Sequence, residues 1–174
     1  MNGYNNKINF LTGNKLSDEW YTPKFIVDKC TQICNLENKK ILLPFDTENS
    51  LFVKELKSKN ITYGITDFLG SDFYDCDIII TNPPFSQKEK VFEKCLQYGK
   101  EFVLVLPQTY IFSVGFYDLI QKYKFHYKLY VPKQRVYFID EKGNQNRPNF
   151  HTVIIQVKSD FMENTIEHFY SGTK

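Results

Sequence analysis

The chain has 174 residues, 42% of them hydrophobic and 17% aromatic, which is enough for one compact domain and too few for two of ordinary size. The formal net charge of +2 is too small to indicate a nucleic-acid partner by itself, and no run approaches the roughly 20 apolar residues that span a bilayer. The polar N-terminus lacks the apolar run of a signal peptide. We therefore expect a single domain over residues 1–174, located in the cytoplasm and without a membrane anchor.

The first half of the chain alternates between helical and strand-like patterns. Thr22-Pro23 predicts a helix start, with Thr22 as the cap and Pro23 at the first helical position. Apolar runs then predict buried parallel strands separated by a helix. These are a strand at Lys40–Phe45, a helix at Glu48–Lys59 and strands at Ile61–Ile65 and Asp77–Thr81.

The second half continues the alternation and then changes character. Ser86–Glu89 has the pattern of a capping box opening a helix that Gly99 closes. Further elements are a strand at Phe102–Leu106, a helix at Val114–Tyr123 and strands at His126–Val131, Val136–Asp140 and Thr152–Val157. The polar loop Glu141–Asn149 joins the last two strands as a hairpin. The alternation predicts an α/β fold with a mostly parallel twisted sheet, helices on both faces and a C-terminal antiparallel hairpin. Ligands of such sheets bind at the carboxyl ends of the strands.

The cysteines Cys30, Cys34, Cys76 and Cys95 form no CxxC pair, and the chain has only three scattered histidines. This spacing is not typical of zinc sites. Buried free thiols in a reducing compartment explain it better, so we expect no metal.

The tetrapeptide Asn82-Pro83-Pro84-Phe85 directly follows the third predicted strand. A proline pair can simply end a strand, but that does not explain an amide before it and an aromatic ring after it. Methylation of an exocyclic amine explains both. The Asn82 side-chain oxygen and the Pro83 carbonyl can accept the two amine hydrogens and free the nitrogen lone pair, while the prolines hold that carbonyl rigidly. Phe85 can stack on a base swung out of a helix.

The order Thr66-Asp67-Phe68-Leu69, then an acidic stretch, then Asp77-Ile-Ile-Ile-Thr and the tetrapeptide resembles the adenine-N6-specific DNA methyltransferases. The resemblance implies catalytic roles for Asn82–Phe85. It also implies that Asp67 accepts a hydrogen bond from the cofactor's adenine amine and that Phe68 packs on its ring. The alternative is that Asp67 is a turn residue before a buried Phe68.

Upstream, Trp20-Tyr21-Thr22-Pro23 is similar to the family segment that packs over the methionine end of the cofactor, although Thr22-Pro23 is also a good helix start on its own. Together the motifs imply a Rossmann-like class I methyltransferase fold. They imply S-adenosyl-L-methionine as the cofactor and N6 of adenine in DNA as the methyl acceptor.

The loop after the first strand departs from the family, which has Gly-x-Gly there. This chain keeps Pro44-Phe45 but has no glycine in the loop. Glycine lets the backbone approach a ligand and adopt a positive φ. We expect Asn49 to adopt a left-handed conformation instead, and Asp46 or Glu48 to bind the cofactor's amino group. Such a departure resembles the EcoRI-type adenine methyltransferases.

No separate target-recognition domain is expected, because the residues after Phe85 are needed to finish the sheet. Lys133, Arg135 and Arg147 flank the terminal hairpin and are the predicted DNA contacts, although solvated surface charge is the commoner explanation of such residues. DNA recognition is then expected to need a homodimer, a partner subunit or a short target sequence. The Lys/Asn/Ile-rich, Arg-poor composition indicates a phage or mobile element from a low-GC genome.

Two other functions fit the same residues. Asn-Pro-Pro-aromatic serves planar amino groups generally, so RNA adenine or a protein glutamine amide is an alternative acceptor. The missing glycines also fit a non-catalytic protein that keeps the scaffold as a binding or inhibitor module, for example against host defence.

Overall fold

The computed structural model describes residues 21–140 and 143–170. The helices in these ranges are α1 (Lys24–Gln32), α2 (Leu51–Leu56), α3 (Lys88–Tyr98), α4 (Gln108–Ile111) and α5 (Val114–Tyr123). The strands are β1 (Lys40–Leu43), β2 (Asn60–Tyr63), β3 (Ile78–Thr81), β4 (Glu101–Pro107), β5 (Tyr127–Pro132), β6 (Phe138–Ile139), β7 (Gln145–Asn146), β8 (Thr152–Val157) and β9 (Thr165–Phe169).

Seven strands form one sheet in the order β2-β1-β3-β4-β8-β5-β9. The neighbours from β2 to β4 are parallel, as are β5 and β9, whereas β8 runs antiparallel to both β4 and β5. Strands β1, β3, β4 and β5 therefore all finish at the same end of the sheet, where β8 begins. We call this the carboxyl end. The predicted α/β architecture with a mostly parallel sheet is confirmed.

The sheet separates two hydrophobic cores, because successive strand residues point to opposite faces. On one face, Leu43 and Ile80 belong to a cluster with α1 and α2. On the other face, Leu42 and Ile79 belong to a cluster with α3 and α5. All residues of β3 and β4 are buried, as expected of parallel strands covered by helices on both sides.

A C-terminal hairpin is present, but its strands differ from the predicted pair. Strand β6 pairs with β7 inside the predicted polar loop, forming a separate two-stranded sheet. Thr152–Val157 is instead the interior strand β8. The reason is burial: all six of its side chains are buried, so both of its faces need a covering layer. Strand β9 and the short helix α4 were not predicted.

Two predicted helix starts are wrong in detail. The N-cap of α1 is Pro23 rather than Thr22, and no side chain caps it; the Pro23 carbonyl instead accepts from the Ile26 and Val27 amides at 3.0 and 3.2 Å. The N-cap of α3 is Gln87 rather than Ser86, and the Gln87 side chain makes no capping hydrogen bond. The predicted end of α3 is confirmed, with Gly99 left-handed at φ 62°.

All four cysteines are free and buried, as predicted. Burial raises the pKa of Cys34 to about 12 and that of Cys76 to about 11, so neither thiol ionises readily. Residues 21–140 and 143–170 contain no group of three or more His, Cys, Asp or Glu that could hold a metal ion. Within the same ranges no helix has the length and apolarity needed to cross a membrane.

Candidate active site

A cavity of about 180 Å³ opens at the carboxyl end of the sheet, beside the ends of β1 and β3. It is lined by Tyr21, Thr22, Phe45, Asp46, Thr47, Ser50, Leu51, Phe52, Asn82 and Pro84. Three segments that the sequence predicted separately therefore meet here: the N-terminal segment, the loop after β1 and the tetrapeptide after β3. Four of the lining residues, Thr47, Ser50, Leu51 and Phe52, were not predicted as site residues.

Asp46 is the buried carboxyl group of this cavity, with 8% of its surface exposed. The Thr81 hydroxyl donates to Asp46 Oδ2 at 3.4 Å, and Ser50 provides a second side-chain hydrogen bond. Burial raises the pKa of Asp46 to about 7, and these two hydrogen bonds oppose the shift without cancelling it. No cation among the described residues pairs with this carboxyl group. A cationic group of a ligand would therefore be a favourable partner.

Asn82 lies one residue beyond β3 and contributes to the same cavity. Its Oδ1 is buried and accepts no hydrogen bond within the described residues. The following turn is fixed by its own backbone, because the Pro84 carbonyl accepts from the Gln87 amide at 2.9 Å. The Phe85 carbonyl accepts from Lys88 Nζ at 3.1 Å. The motif thus combines a buried amide oxygen that has no hydrogen-bond partner among the described residues with a turn held by backbone hydrogen bonds.

Phe85 is half-buried in an aromatic cluster with two residues near the hairpin. Its ring is perpendicular to those of Phe138 and Phe150, at centroid distances of 5.9 and 5.1 Å. The hairpin is in turn tied to the N-terminal segment, since Tyr21 and Ile139 exchange backbone hydrogen bonds of 2.8 and 3.1 Å. Phe85 is therefore positioned by packing and keeps part of its surface accessible.

Asp67 and Phe68 do not line the cavity. Asp67 is exposed, and its Oδ1 accepts from the Gly70 amide at 2.9 Å, as in a turn. Phe68 is buried, with its ring edge-to-face against Phe45 at 5.4 Å and stacked on Tyr98 at 5.8 Å. Phe45, which lines the cavity, is the residue that connects it to this pair.

The loop after β1 does not replace the missing glycines with a left-handed residue. Among the described residues, the non-glycine positions with positive φ are Asn38 and Lys124, so the expectation for Asn49 is wrong. Asn49 and Glu48 are exposed, while Pro44 is buried and its carbonyl accepts from Ile65 at 2.8 Å. The loop holds its shape through such backbone bonds and the polar contacts of Asp46.

Three predicted site residues remain: the cofactor contacts Pro23 and Trp20 and the catalytic residue Pro83. Pro23 is half-buried at the start of α1, and Pro83 is buried within the tetrapeptide. Trp20 lies outside the described residues. One of the lining residues that were not predicted, Ser50, could have been found from the sequence, because a serine before an apolar run is typical of a helix N-cap. In the structure Ser50 is the N-cap of α2, and its Oγ accepts from the Val53 amide at 3.3 Å.

The three predicted DNA contacts have different environments. Lys133 is exposed, with its Nζ 4.2 Å from the centre of the Tyr170 ring. Arg147 is exposed close to β7. Arg135 is half-buried, and its Nη2 donates to the Pro148 carbonyl at 3.2 Å. Glu141 and Lys142, the first two residues of the polar loop of the predicted hairpin, lie outside the described residues.

The described residues contain four buried side-chain atoms without a hydrogen-bond partner: Asn82 Oδ1, Tyr110 OH, Arg135 Nε and Thr152 Oγ1. All four follow or precede strands at the carboxyl end of the sheet, after β3, β4 and β5 and at the start of β8. Buried polar groups are usually paired. Unused hydrogen-bonding capacity is therefore concentrated at the end of the sheet where α/β proteins bind ligands.

Neither a family model nor a curated protein matches the sequence. Solved structures do match the fold. A protein assigned as a class I S-adenosylmethionine-dependent methyltransferase from Listeria monocytogenes has a TM-score of 0.60 at 13% identity, over 94% of this chain and 71% of that one. The 23S rRNA methyltransferase ErmE has a TM-score of 0.54 at 12% identity, over 83% and 71%.

A further match is a protein assigned as a modification subunit of a type I restriction enzyme from Vibrio vulnificus. Its TM-score is 0.55 at 13% identity, over 95% of this chain, which spans about half (49%) of that protein. Identities this low show the fold alone. The chain has the Rossmann-like fold of class I methyltransferases.

Proposed function

We propose that this chain binds S-adenosyl-L-methionine and transfers its methyl group to N6 of adenine in DNA. The observation that carries the proposal is the unpaired Asn82 Oδ1, held on a rigid turn at the carboxyl end of β3 and beside the cavity that contains Asp46. The fold is shared with methyltransferases, and one of those neighbours is a subunit of a restriction enzyme. Asn82, Pro83, Pro84 and Phe85 are the proposed catalytic residues.

The residues of the cavity fit one end of this cofactor. A volume of about 180 Å³ is below the roughly 300 Å³ at which pockets for drug-sized ligands begin, so it encloses only part of such a molecule. Asp46 offers a buried carboxyl group with no cation beside it, which suits the cofactor's amino group. Tyr21, Thr22 and Phe45 line the same space. The amino-acid end of the cofactor is therefore the part that this cavity holds.

Fewer protein groups are available to bind the adenine end of the cofactor. The carboxylate of Asp67 already accepts from Gly70, and Phe68 is covered by Phe45 and Tyr98. We retain both as proposed adenine contacts, with Phe45 as the ring nearest the cavity. The exposed Glu48 and Asn49, together with Pro44 and Pro23, remain proposed cofactor contacts at the margin of the site. Trp20, which lies outside the described residues, also remains a proposed cofactor contact.

When bound, the cofactor supplies an activated methyl group on a sulfonium. The work of the protein is to prepare the acceptor nitrogen. Asn82 Oδ1 and the Pro83 carbonyl accept the two amine hydrogens, which draws the nitrogen towards tetrahedral geometry and makes its lone pair available. The nitrogen would receive the methyl group from the sulfonium, which would depart as a neutral thioether, and one amine hydrogen held by Asn82 Oδ1 or the Pro83 carbonyl would leave as a proton to solvent. Because the prolines fix the turn, these acceptors need no reorganisation during the reaction.

Phe85 is the proposed platform for the base. Adenine within a duplex cannot reach Asn82, so it must be extruded and held against a ring. Phe85 neighbours Pro84 of the cavity lining and is fixed edge-on by Phe138 and Phe150. A ring held in this way loses little freedom when a base stacks on it.

DNA is proposed as the acceptor, with Lys133, Arg135 and Arg147 as phosphate contacts. A net charge of +2 provides little non-specific attraction for phosphates. We therefore propose that productive binding uses a homodimer, a partner subunit or a target of a few base pairs.

The direct test is methyl transfer from labelled S-adenosyl-L-methionine to a panel of acceptors. The panel contains adenine-bearing duplex DNA, the same sequence as single-stranded DNA and as RNA, and a glutamine-containing peptide. The expected result is label in DNA, recovered as N6-methyladenine after nucleoside digestion. Label only in RNA or only in the peptide would replace the DNA proposal with the corresponding alternative.

A second candidate is a non-catalytic binding module. It is favoured by the loop after β1, which contains neither a glycine nor a left-handed residue, and by the engagement of Asp67 with Gly70. Calorimetric titration with S-adenosyl-L-methionine separates the two candidates. An enzyme must bind the cofactor at micromolar to millimolar concentrations, whereas the absence of binding in that range would favour the non-catalytic module.

A further inference from the structure

Arg135 is a guanidinium near the carboxyl end of the sheet that makes no ion pair with any residue in the ranges 21–140 and 143–170. It is half-buried, three residues beyond the end of β5. Its Nη2 donates to a neutral acceptor, the Pro148 carbonyl, at 3.2 Å, and its Nε is buried without a partner among the described residues. A partly desolvated cation bonded only to a carbonyl is unfavourable compared with one that meets an anion.

Short stretches of backbone connect this cation to the aromatic cluster of Phe85. The Pro148 carbonyl that Arg135 holds lies two residues before Phe150, whose ring packs on Phe85 at 5.1 Å. In the other direction, Phe138 is three residues beyond Arg135 and packs on Phe85 at 5.9 Å. Both neighbours of Phe85 are thus connected to Arg135 through a few residues of backbone. A planar ring stacked on Phe85 and an anion bound by Arg135 would therefore be parts of the same small ligand.

We propose that Arg135 binds the phosphate adjacent to the base that stacks on Phe85, which makes this a site for a nucleotide within a polynucleotide strand. The proposal rests on the proposed function and narrows it, since a glutamine amide in a peptide carries no phosphate for the guanidinium. It also separates Arg135 from Arg147, which is exposed and contributes only general attraction. The planar fork of Arg grips two phosphate oxygens at once, which Lys cannot do.

The test is equilibrium binding, measured by fluorescence anisotropy without cofactor, of a labelled thymidine oligomer that contains a single adenine. Methylphosphonate linkages, which remove one phosphate charge, are introduced singly along the oligomer. For the wild-type chain we expect one linkage next to the adenine to weaken binding by about 10- to 100-fold, the effect of losing a hydrogen bond to a charged group. Linkages elsewhere are expected to cost about threefold or less, as for an exposed charge.

The variants assign that effect to its residue. In Arg135→Gln the sensitive linkage is expected to become indistinguishable from the others. In the control Lys100→Gln, which removes one exposed positive charge outside the proposed site, the sensitive linkage remains. Arg135→Lys keeps the charge but not the fork, so it should retain only a small part of the position-specific effect. If Arg135→Gln is poorly folded, as its thermal unfolding would reveal, the Arg135→Lys result decides in its place.

Failure of this inference differs from failure of the proposed function. Equal sensitivity at all linkages, an unchanged pattern in the Arg135 variants, or no binding to the oligomer would overturn the phosphate site even if methyl transfer occurs. A sensitive linkage that depends on Arg135, in a chain that transfers no methyl group to any acceptor, would retain the phosphate site and overturn the enzymatic proposal.

Discussion

The proposed cofactor side and the proposed substrate side of the carboxyl end are built differently. The cofactor side comprises the loop after β1 and the edge strand β2, a four-residue strand whose side chains are exposed or half-buried. The substrate side rests on β4 and β8, whose side chains are all buried. Local opening is easier where few apolar contacts are buried. The proposed acceptors, Asn82 and Pro83, follow β3, whose four side chains are also all buried, so they lie on the more rigid part of the sheet. The proposed cofactor contacts lie on the more adaptable part.

The two sides also differ in how their polar groups are paired. On the cofactor side, Asp46 is surrounded by hydroxyl groups from Thr81 and Ser50. On the substrate side, Arg135 Nε and Thr152 Oγ1 have no partner within the described chain. Asn82 lies between the two and belongs to both. If this division is functional, substitutions on the two sides should affect different steps of the reaction.

The largest effect is expected for Asn82→Ala, which removes an acceptor at the junction of the two sides. Loss of one preorganised group of this kind costs about 3–4 kcal/mol, or on the order of 10²–10³ in rate. Cofactor affinity and thermal stability should change little. The measurement is single-turnover methyl transfer, with the exposed amide variant Asn149→Ala as a control. Transfer by Asn82→Ala at more than half the wild-type rate would remove Asn82 from the chemistry.

A smaller effect, on binding rather than on rate, is expected for Asp46→Asn. The substitution removes the buried negative charge that faces the cofactor's amino group, at a cost of about 1.5–3 kcal/mol. Because the pKa of Asp46 is about 7, wild-type affinity should rise as pH increases through 7 and the carboxyl group ionises. Calorimetric titrations from pH 5.5 to 8.5 should show this rise in the wild type and a flat profile in Asp46→Asn. Parallel profiles would mean that the amino group binds elsewhere.

The same carboxyl group should affect stability in the opposite direction. Its pKa is raised in the folded state, so the folded chain holds the proton more tightly than the unfolded chain does. This contribution is fully present below about pH 4 and is lost as pH rises to about 7. Asp46→Asn should therefore gain stability relative to the wild type over that interval, by up to about 4 kcal/mol. Denaturant unfolding at pH 5 and pH 8 measures the gain.

Phe85→Ala should reduce binding of the extruded base by roughly 1–3 kcal/mol, the usual value of one stacking contact. The defect should shrink when the target adenine is mismatched or unpaired, because less unstacking energy is then needed. Phe150→Leu is the matched control, since it loosens the packing on Phe85 but leaves the Phe85 ring in place. Equal defects of Phe85→Ala on paired and unpaired substrates would show that Phe85 only fills the core.

The sequence predicted the parts of the fold that depend on local pattern. The buried strand Thr152–Val157 and the helix Val114–Tyr123 have the predicted bounds. The pairing of the strand Thr152–Val157 was predicted wrongly. An all-buried strand can lie in the interior of a sheet or in a hairpin, and its own residues do not distinguish the two. The predicted start of α3 was one residue too early, because the side-chain pattern alone does not fix where the first helical turn begins after two prolines.

For the site, motif residues were easier to predict than the residues around them. The sequence singled out Asn82 and Asp46 in separate motifs, and both line one cavity in the structure. Asn82 directly follows β3 and Asp46 lies three residues beyond β1, and these two strands end at the same edge of the sheet. It did not identify Thr81 as the partner of Asp46, since that contact joins residues 35 positions apart. Nor did it reveal that Arg135 is half-buried while Arg147 is exposed, which depends on the path of the hairpin.

The smallest effect is expected for Asp67→Ala, on the cofactor side. The carboxylate is exposed and already accepts from the Gly70 amide at 2.9 Å, so a contact with the cofactor's adenine amine can use only its second oxygen. We expect a loss of about 0.5–1.5 kcal/mol in S-adenosyl-L-methionine binding, the net value of one ordinary hydrogen bond. Asp67→Asn separates the two roles, because its single side-chain oxygen can keep the Gly70 bond while the amide nitrogen cannot accept. Calorimetry should find Asp67→Asn as weak as Asp67→Ala if the second oxygen binds the cofactor. If Asp67→Asn instead binds like the wild type, Asp67 is a turn residue and the adenine is held by Phe45 and its neighbours.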